Sequence, residues 1–285
     1  MEHSEHCAAL QFFTSSGGRI AFRDEGKGDV IVLVHGVPTS SWLYSDIIEI
    51  LVAAGYRVIA PDMLGYGYSD KPIGYDIYSA VNQGKRLNEL VDHLGLTSWT
   101  HVFHDGGGLW TWEMIRQSAR GIKKLVSLNS IFYQEGFHPP MKFRPGWIAK
   151  QFARLYTFSL GQALVLNGTF KNGLSKNVSL TPDKLTGYKA PLRTAGGDRG
   201  LYYFFTQTCH KIQDFTALHK SIEAPLCVIW GRTDAMLRWK DIADQVNANF
   251  NLNKEDVHII EANHFIQEEQ PVFIAETIAE FASRG

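Results

Sequence analysis

The chain has 285 residues, 28 basic against 29 acidic, and 45% of them are hydrophobic. That length buries a large core, in one α/β domain with an insertion or in two domains. The balanced charge, without a basic run, argues against a nucleic-acid partner, and no run of about 18 apolar residues predicts a membrane span.

Residues 1–10 carry His and Glu instead of an apolar run, so no signal peptide is expected. Residues 19–24 alternate as a strand, and residues 25–29 form a Gly-rich turn. Val30–Val34 is a continuous apolar run rich in β-branched residues, the mark of a strand covered on both faces. It ends at His35-Gly36-Val37-Pro38. A helix over 41–54 follows, with Leu43, Ile47, Ile48 and Leu51 on one stripe and Gly55 as its stop. Residues 56–60 predict a strand, and Pro61-Asp62 opens a glycine-rich loop that ends at Asp70-Lys71-Pro72. Residues 78–94 read as a helix, 100–103 as a strand and 122–128 as another strand. The tail repeats the alternation: strand 226–230, helix 239–248, strand 257–260 and helix 271–283. Such alternation implies a parallel, doubly wound sheet.

Residues 131–221 show no strand pattern. The helical candidates are 147–164 and 201–212, joined by a polar stretch with Asn172, Asn177, Pro182 and Gly196-Gly197. A structureless loop of roughly 90 residues is implausible in a compact fold. The expected organisation is therefore a core of residues 1–130 and 222–285, with residues 131–221 inserted as a helical cap. The cysteines Cys7, Cys209 and Cys227 are odd in number and widely spaced. They predict neither a disulfide framework nor a paired metal-ligand motif, and so a reducing, cytoplasmic compartment.

The stretch Val102-Phe103-His104-Asp105-Gly106-Gly107-Gly108 joins an apolar strand to a helical pattern through Leu109, Trp110, Trp112, Met114 and Ile115. This is the strand–turn–helix context of a nucleophile elbow, with Asp105 at its apex. A carboxylate there can attack an electrophilic carbon and form an alkyl ester with the enzyme. Asp234 and His264 also follow predicted strands, and ligands of open α/β sheets sit outside the carboxyl ends of the strands. The plainer readings make Asp105 a helix N-cap and Asp234 and Asp62 turn residues. Asn129, just past strand 122–128, cannot carry an acid's charge, which favours Asp234. His104 reads as a packing residue, and His101, His210, His219 and His258 lack any matching spacing.

From about Arg19 onward the chain resembles the α/β-hydrolase superfamily. The segments that carry this are His35-Gly36-Val37-Pro38, residues 61–70, His104-Asp105-Gly106-Gly107, Trp230-Gly231-Arg232-Thr233-Asp234 and His264-Phe265. An aspartate at the elbow is similar to epoxide hydrolases and haloalkane dehalogenases. The resemblance implies an α/β-hydrolase fold with a helical cap, and a hydrolase that takes a small apolar substrate and water. It implies no cofactor and no metal. Asp105 would form the ester, His264 would activate the water, and Asp234 would hold the imidazole. The backbone N–H groups of Val37 and Gly106 would take the oxyanion. His35 and Trp110 are candidate substrate contacts.

Two positions depart from the dehalogenase pattern. Gly106 replaces the tryptophan that usually holds the departing halide, and Val37 supplies no second donor. Gly106 also lacks the arginine that relatives acting on fluoroacetate use. Phe103 stands where a small residue is usual, and it is expected to crowd the turn. Epoxide opening needs a hydroxyl donor for the departing alkoxide, and the resemblance implies two cap tyrosines, Tyr156 and Tyr203 (or Tyr202). Epoxide hydrolysis is therefore the leading expectation, and haloalkane dehalogenation is the alternative. A non-catalytic ligand binder on the same fold is the alternative from another class. The set Asp105, Asp234 and His264 argues against it.

Overall fold

Eight strands form one twisted sheet in the order β1-β2-β4-β3-β5-β6-β7-β8. They are β1 (Gln11–Ser15), β2 (Gly18–Glu25), β3 (Val30–Val34), β4 (Arg57–Pro61), β5 (Trp99–Asp105), β6 (Ile122–Ser130), β7 (Leu226–Gly231) and β8 (Val257–Ile260). Strands β1 and β2 are antiparallel neighbours, and β2 runs antiparallel to β4. All the remaining pairings are parallel. The fold is thus a mostly parallel, doubly wound sheet, as the alternation predicts. The computed structural model describes residues 1–118 and 120–284.

Helices before and between the strands are α1 (His3–Ala8), α2 (Ser45–Ala53), α3 (Ala80–His93) and α4 (Gly107–Gln117). Ser40 caps a short 3-10 turn ahead of α2 by accepting from Trp42 N–H, and Ser79 caps α3 by accepting from Asn82 N–H. Each side chain satisfies a donor that has no partner within its own helix. The central strands are buried throughout, since helices cover both faces.

Two elements near the N-terminus were not expected. Strand β1 turns only Phe13 and Ser15 inward, so its period is too short to register. Helix α1 is six residues long and mostly polar, and it buries only His6.

Between β6 and β7 the chain is helical: α5 (Trp147–Arg154), α6 (Ser159–Leu164), α7 (Leu166–Gly173), α8 (Pro182–Leu192), α9 (Arg199–Tyr203) and α10 (Thr216–Ser221). The predicted helix 147–164 is two helices, because Phe158 is extended between them. Gly161 then packs against the Leu155 backbone, where a Cβ would overlap it. Helix α8 fell in the stretch read as polar. Its start was written there, since Thr181 accepts from Lys184 N–H and Pro182 takes the first turn. Gly187 and Pro191 blur its periodicity. Helix α9 continues as a wide π turn over Phe204–Thr208. The tail adds α11 (Ala243–Phe250), α12 (Ile266–Glu269) and α13 (Pro271–Ser283). No helix among the described residues is long and apolar enough to cross a membrane.

Strand β3 pairs with β4 on one side and β5 on the other. The chain order therefore reverses at β3, and the loops after β3 and β5 face each other across that crevice.

Candidate active site

Asp105 ends β5 with φ +50°. That left-handed conformation costs a non-glycine residue of order 1–3 kcal/mol. The surroundings enforce it. The Asp105 carbonyl accepts from Ile131 N–H at 3.1 Å and from Ser130 Oγ at 3.0 Å. The facing loop comes so close that a Cβ on Gly36 would overlap Asp105, and a Cβ on Gly107 would sit 2.6 Å from the His35 carbonyl. Phe103 does not crowd the turn as expected. Its ring is fully buried, edge-on to Trp112 at 4.9 Å.

The two carboxylate oxygens of Asp105 have different neighbours. Oδ1 accepts from Val37 N–H at 2.7 Å, and the Gly106 N–H at the start of α4 also favours the charged carboxylate. Oδ2 lies 3.9 Å from His264 Nε2. His264 Nδ1 donates to Asp234 Oδ2 at 2.8 Å. Asp234 Oδ1 accepts from Met236 N–H at 2.8 Å and from Leu237 N–H at 2.9 Å. The expected trio thus converges, with the imidazole between the two carboxylates.

Asn129 is a partner that sequence reasoning weighed only as a failed acid. It is left-handed at φ +35° and donates through Nδ2 to Asp234 Oδ2 at 2.6 Å. Its Oδ1 accepts from Gly231 N–H at 2.8 Å. An asparagine does this better than a second acid, because it donates to a carboxylate instead of repelling it. Asn129→Ala is expected to lower stability by about 2 kcal/mol and to slow turnover by about tenfold. Thermal melting and kcat check the two effects.

Electrostatics separate the groups. Burial pushes the Asp105 carboxyl up, against the opposing pull of His264 and the two backbone donors. Burial alone would lower His264, but the charge and hydrogen bond of Asp234, with Asp105 behind them, raise it above its ordinary value. An imidazole raised this way takes a proton from water more readily and holds it between two carboxylates. Burial lowers His104, which donates through Nε2 to the His264 carbonyl at 3.1 Å. It packs 4.9 Å from the His264 ring as a neutral neighbour.

Asp105 and His264 open into a cavity of about 630 Å³. Its walls are mostly apolar. Met236 comes from the loop after β7, and Phe137, Phe152, Val165, Phe204 and Phe205 come from the segment between β6 and β7. Tyr156 is in the wall as expected, buried, with its hydroxyl 3.5 Å from Thr169 Oγ1. The other expected contacts are elsewhere. Tyr203 packs on Tyr75 at 4.8 Å, and the Tyr202 hydroxyl accepts from Gly146 N–H on the outer surface. Helical rotation explains this, since Phe204 and Phe205 take the inward positions of α9 and its π turn.

His35 and Trp110 are also corrected as substrate contacts, because neither is among the cavity's lining residues. The His35 ring is buried, and Nε2 accepts from Met63 N–H at 2.9 Å. That bond puts the proton on Nδ1, which donates to the Gly36 carbonyl at 2.7 Å. His35 therefore braces the loops after β3 and β4. Trp110 is buried 5.5 Å from the His35 ring and 5.6 Å from Tyr66. Asp62 organises its loop, accepting from Ser41 N–H and Tyr68 N–H. The His264 loop is held by the end of α7, where the Gly173 carbonyl accepts from both His264 N–H and Phe265 N–H at 3.0 Å.

Among the described residues no group of His, Cys, Asp and Glu is placed to hold a metal ion. The chemistry available is that of a buried carboxylate with one oxygen held by a backbone donor and the other facing a basic imidazole.

Known proteins share this framework. Residues 29–271 match the family described as alpha/beta hydrolase fold. A Mycobacterium bovis protein named haloalkane dehalogenase 2 is 31% identical, over 95% of this chain and 93% of its own. Epoxide hydrolase 3 of Siraitia grosvenorii is 26% identical over the whole of both chains. The solved structure of an epoxide hydrolase from Vigna radiata superposes with a TM-score of 0.73 at 21% identity, covering 95% of this chain and 96% of that one. Sequence and sheet topology agree over most of the length, and the chain belongs to the alpha/beta hydrolase fold family.

Proposed function

We propose that this hydrolase opens small apolar electrophiles through an ester on Asp105. The observation that carries the reading is the asymmetry of that carboxylate, with Oδ1 bonded by the Val37 N–H and Oδ2 turned toward His264. Oδ2 attacks the substrate carbon, a C–O bond forms, and the carbon's bond to its leaving group breaks. His264 then takes a proton from water, and the hydroxide adds to Cγ of Asp105. The negative charge collects on Oδ1, where the Val37 N–H already points, with the Gly106 N–H beside the same carboxylate. Collapse expels the alcohol oxygen, which takes the proton back from His264, while Asp234 offsets the imidazolium charge. The helices of residues 131–221 act as a cap that keeps bulk water from the ester. The free thiols Cys7, Cys209 and Cys227 suit a reducing, cytoplasmic setting.

Epoxides fit this cavity best. An opening epoxide leaves an alkoxide on the substrate itself, and the Tyr156 hydroxyl is a donor in the cavity wall. Only one of the two expected tyrosines serves, so the whole donor role falls to Tyr156. The relative named haloalkane dehalogenase 2 favours a second reading, halide displacement. Against it, Val37 and Gly106 carry no side-chain donor for a halide. Tyr156→Phe separates the two. Epoxide kcat/KM should fall by about 10²–10³, the usual loss for one such donor, and bromoalkane turnover should change little. An unchanged epoxide rate, or turnover of bromoalkanes alone, would overturn the epoxide reading.

A further inference from the structure

The balanced total charge hides a strong segregation. Residues 131–221 carry 12 Lys and Arg against 4 Asp and Glu, whereas the rest of the chain carries 16 against 25. The helical segment is therefore strongly cationic and the sheet core strongly anionic. The same segment exposes large apolar side chains. On α5, Trp147 and Ile148 are 73% and 69% exposed, and on α6, Leu160 is 70% exposed. Ile73, on the loop beside α5, is 87% exposed.

Ile73 and Trp147 share one surface hollow with several of the cations, and a second, polar hollow adjoins it. One, of about 610 Å³, is lined by Ile73, Tyr75, Trp147, Lys150, Arg154 and Arg199, among others. The next, of about 440 Å³, also contains Arg154 and Arg199 and adds Arg193. Among the described residues, Asp198 is the only acid lining either hollow. On α5 the inward residues Ala149 and Ala153 are buried, leaving Trp147, Lys150 and Arg154 on the outer side. This mix of Trp and Ile with Lys and Arg, on one outward helix face, is the pattern of a surface that lies in a lipid interface.

We propose that this face docks onto an anionic lipid bilayer. Trp147 and Ile73, with Ile148 next to Trp147 on α5, enter the headgroup boundary, and Lys150, Arg154, Arg193 and Arg199 meet lipid phosphates. The charge selects the occupant. A second copy would have to offer its own anionic core face to this patch, since two cationic patches facing each other would repel. A nucleic acid would leave the exposed aliphatic side chains unused. Docking would also set the cavity near the bilayer, because Phe152 of α5 and Leu164 of α6 line it. Apolar molecules partition into that layer. The binding claim itself stands apart from the proposed activity.

The test is co-sedimentation of the full chain with vesicles of phosphatidylcholine, with and without phosphatidylglycerol as roughly one-third of the lipid. Binding should require the anionic lipid and weaken as salt rises. Lys150→Glu with Arg154→Glu should lower the vesicle affinity by at least about tenfold. Trp147→Ser with Ile148→Ser should do the same while leaving the circular dichroism spectrum unchanged. The control Lys27→Glu with Lys254→Glu, which reverses two charges on the core, should have no effect. Binding equal on neutral and anionic vesicles, no binding to either, or insensitivity to both patch variants overturns the proposal. So does a dimer seen by light scattering that Trp147→Ser dissociates, since the patch would then be a contact between copies.

Discussion

His264→Gln is expected to stop turnover and leave the substrate attached to the protein. The ester should form, because attack by Asp105 Oδ2 needs no proton from His264. It should then persist, because nothing 3.9 Å from that oxygen can take a proton from water. Removing a general base of this kind slows its step by about 10²–10⁴. Intact-protein mass spectrometry should show Asp105 carrying one substrate equivalent within the time of a wild-type turnover. A wild-type mass under saturating substrate would mean that no ester precedes hydrolysis.

Asp105→Asn is expected to abolish turnover without weakening the fold. An amide is no nucleophile toward a saturated carbon, so kcat should fall by about 10⁴ or more. Stability should move the other way. The Asp105 carboxyl titrates higher in the folded protein than in the unfolded chain. Its charged form therefore costs folding free energy above the folded value, and the cost disappears as pH falls below the unfolded value. Asparagine removes that cost at neutral pH and tolerates the left-handed backbone at φ +50°. Its Oδ1 can still accept from Val37 N–H. A gain of about 1 kcal/mol would raise the melting temperature by about 2–4 °C in a protein of this size. A large drop in melting temperature, with activity retained, would make Asp105 an architectural group.

The core of the fold was legible because its strands are buried on both faces. Val30–Val34 and Leu226–Gly231 are nearly unbroken apolar runs, and glycine stops the helix before β4. The elbow was legible because a left-handed apex and two close backbone approaches need glycines at fixed offsets from Asp105. Legibility fell where rotation about a helix axis decides the outcome. Tyr202, Tyr203, Phe204 and Phe205 are consecutive aromatics, and a π turn sets which pair faces the cavity. No periodicity argument assigns a residue beside such a turn. Asn129 was overlooked for a different reason. Its role depends on a donor geometry between β6 and β7 that only pairing of those strands creates. The cationic face escaped notice because whole-chain charge averages over two oppositely charged parts.

The nucleophile assignment is tested most directly by one turnover in oxygen-18 water with excess enzyme and an apolar epoxide. If the ester reading is right, the first product carries unlabelled oxygen from Asp105, and the label appears in the peptide that contains Asp105. Label in the first product and none in that peptide would mean that water attacks the substrate directly, with Asp105 acting only as a base.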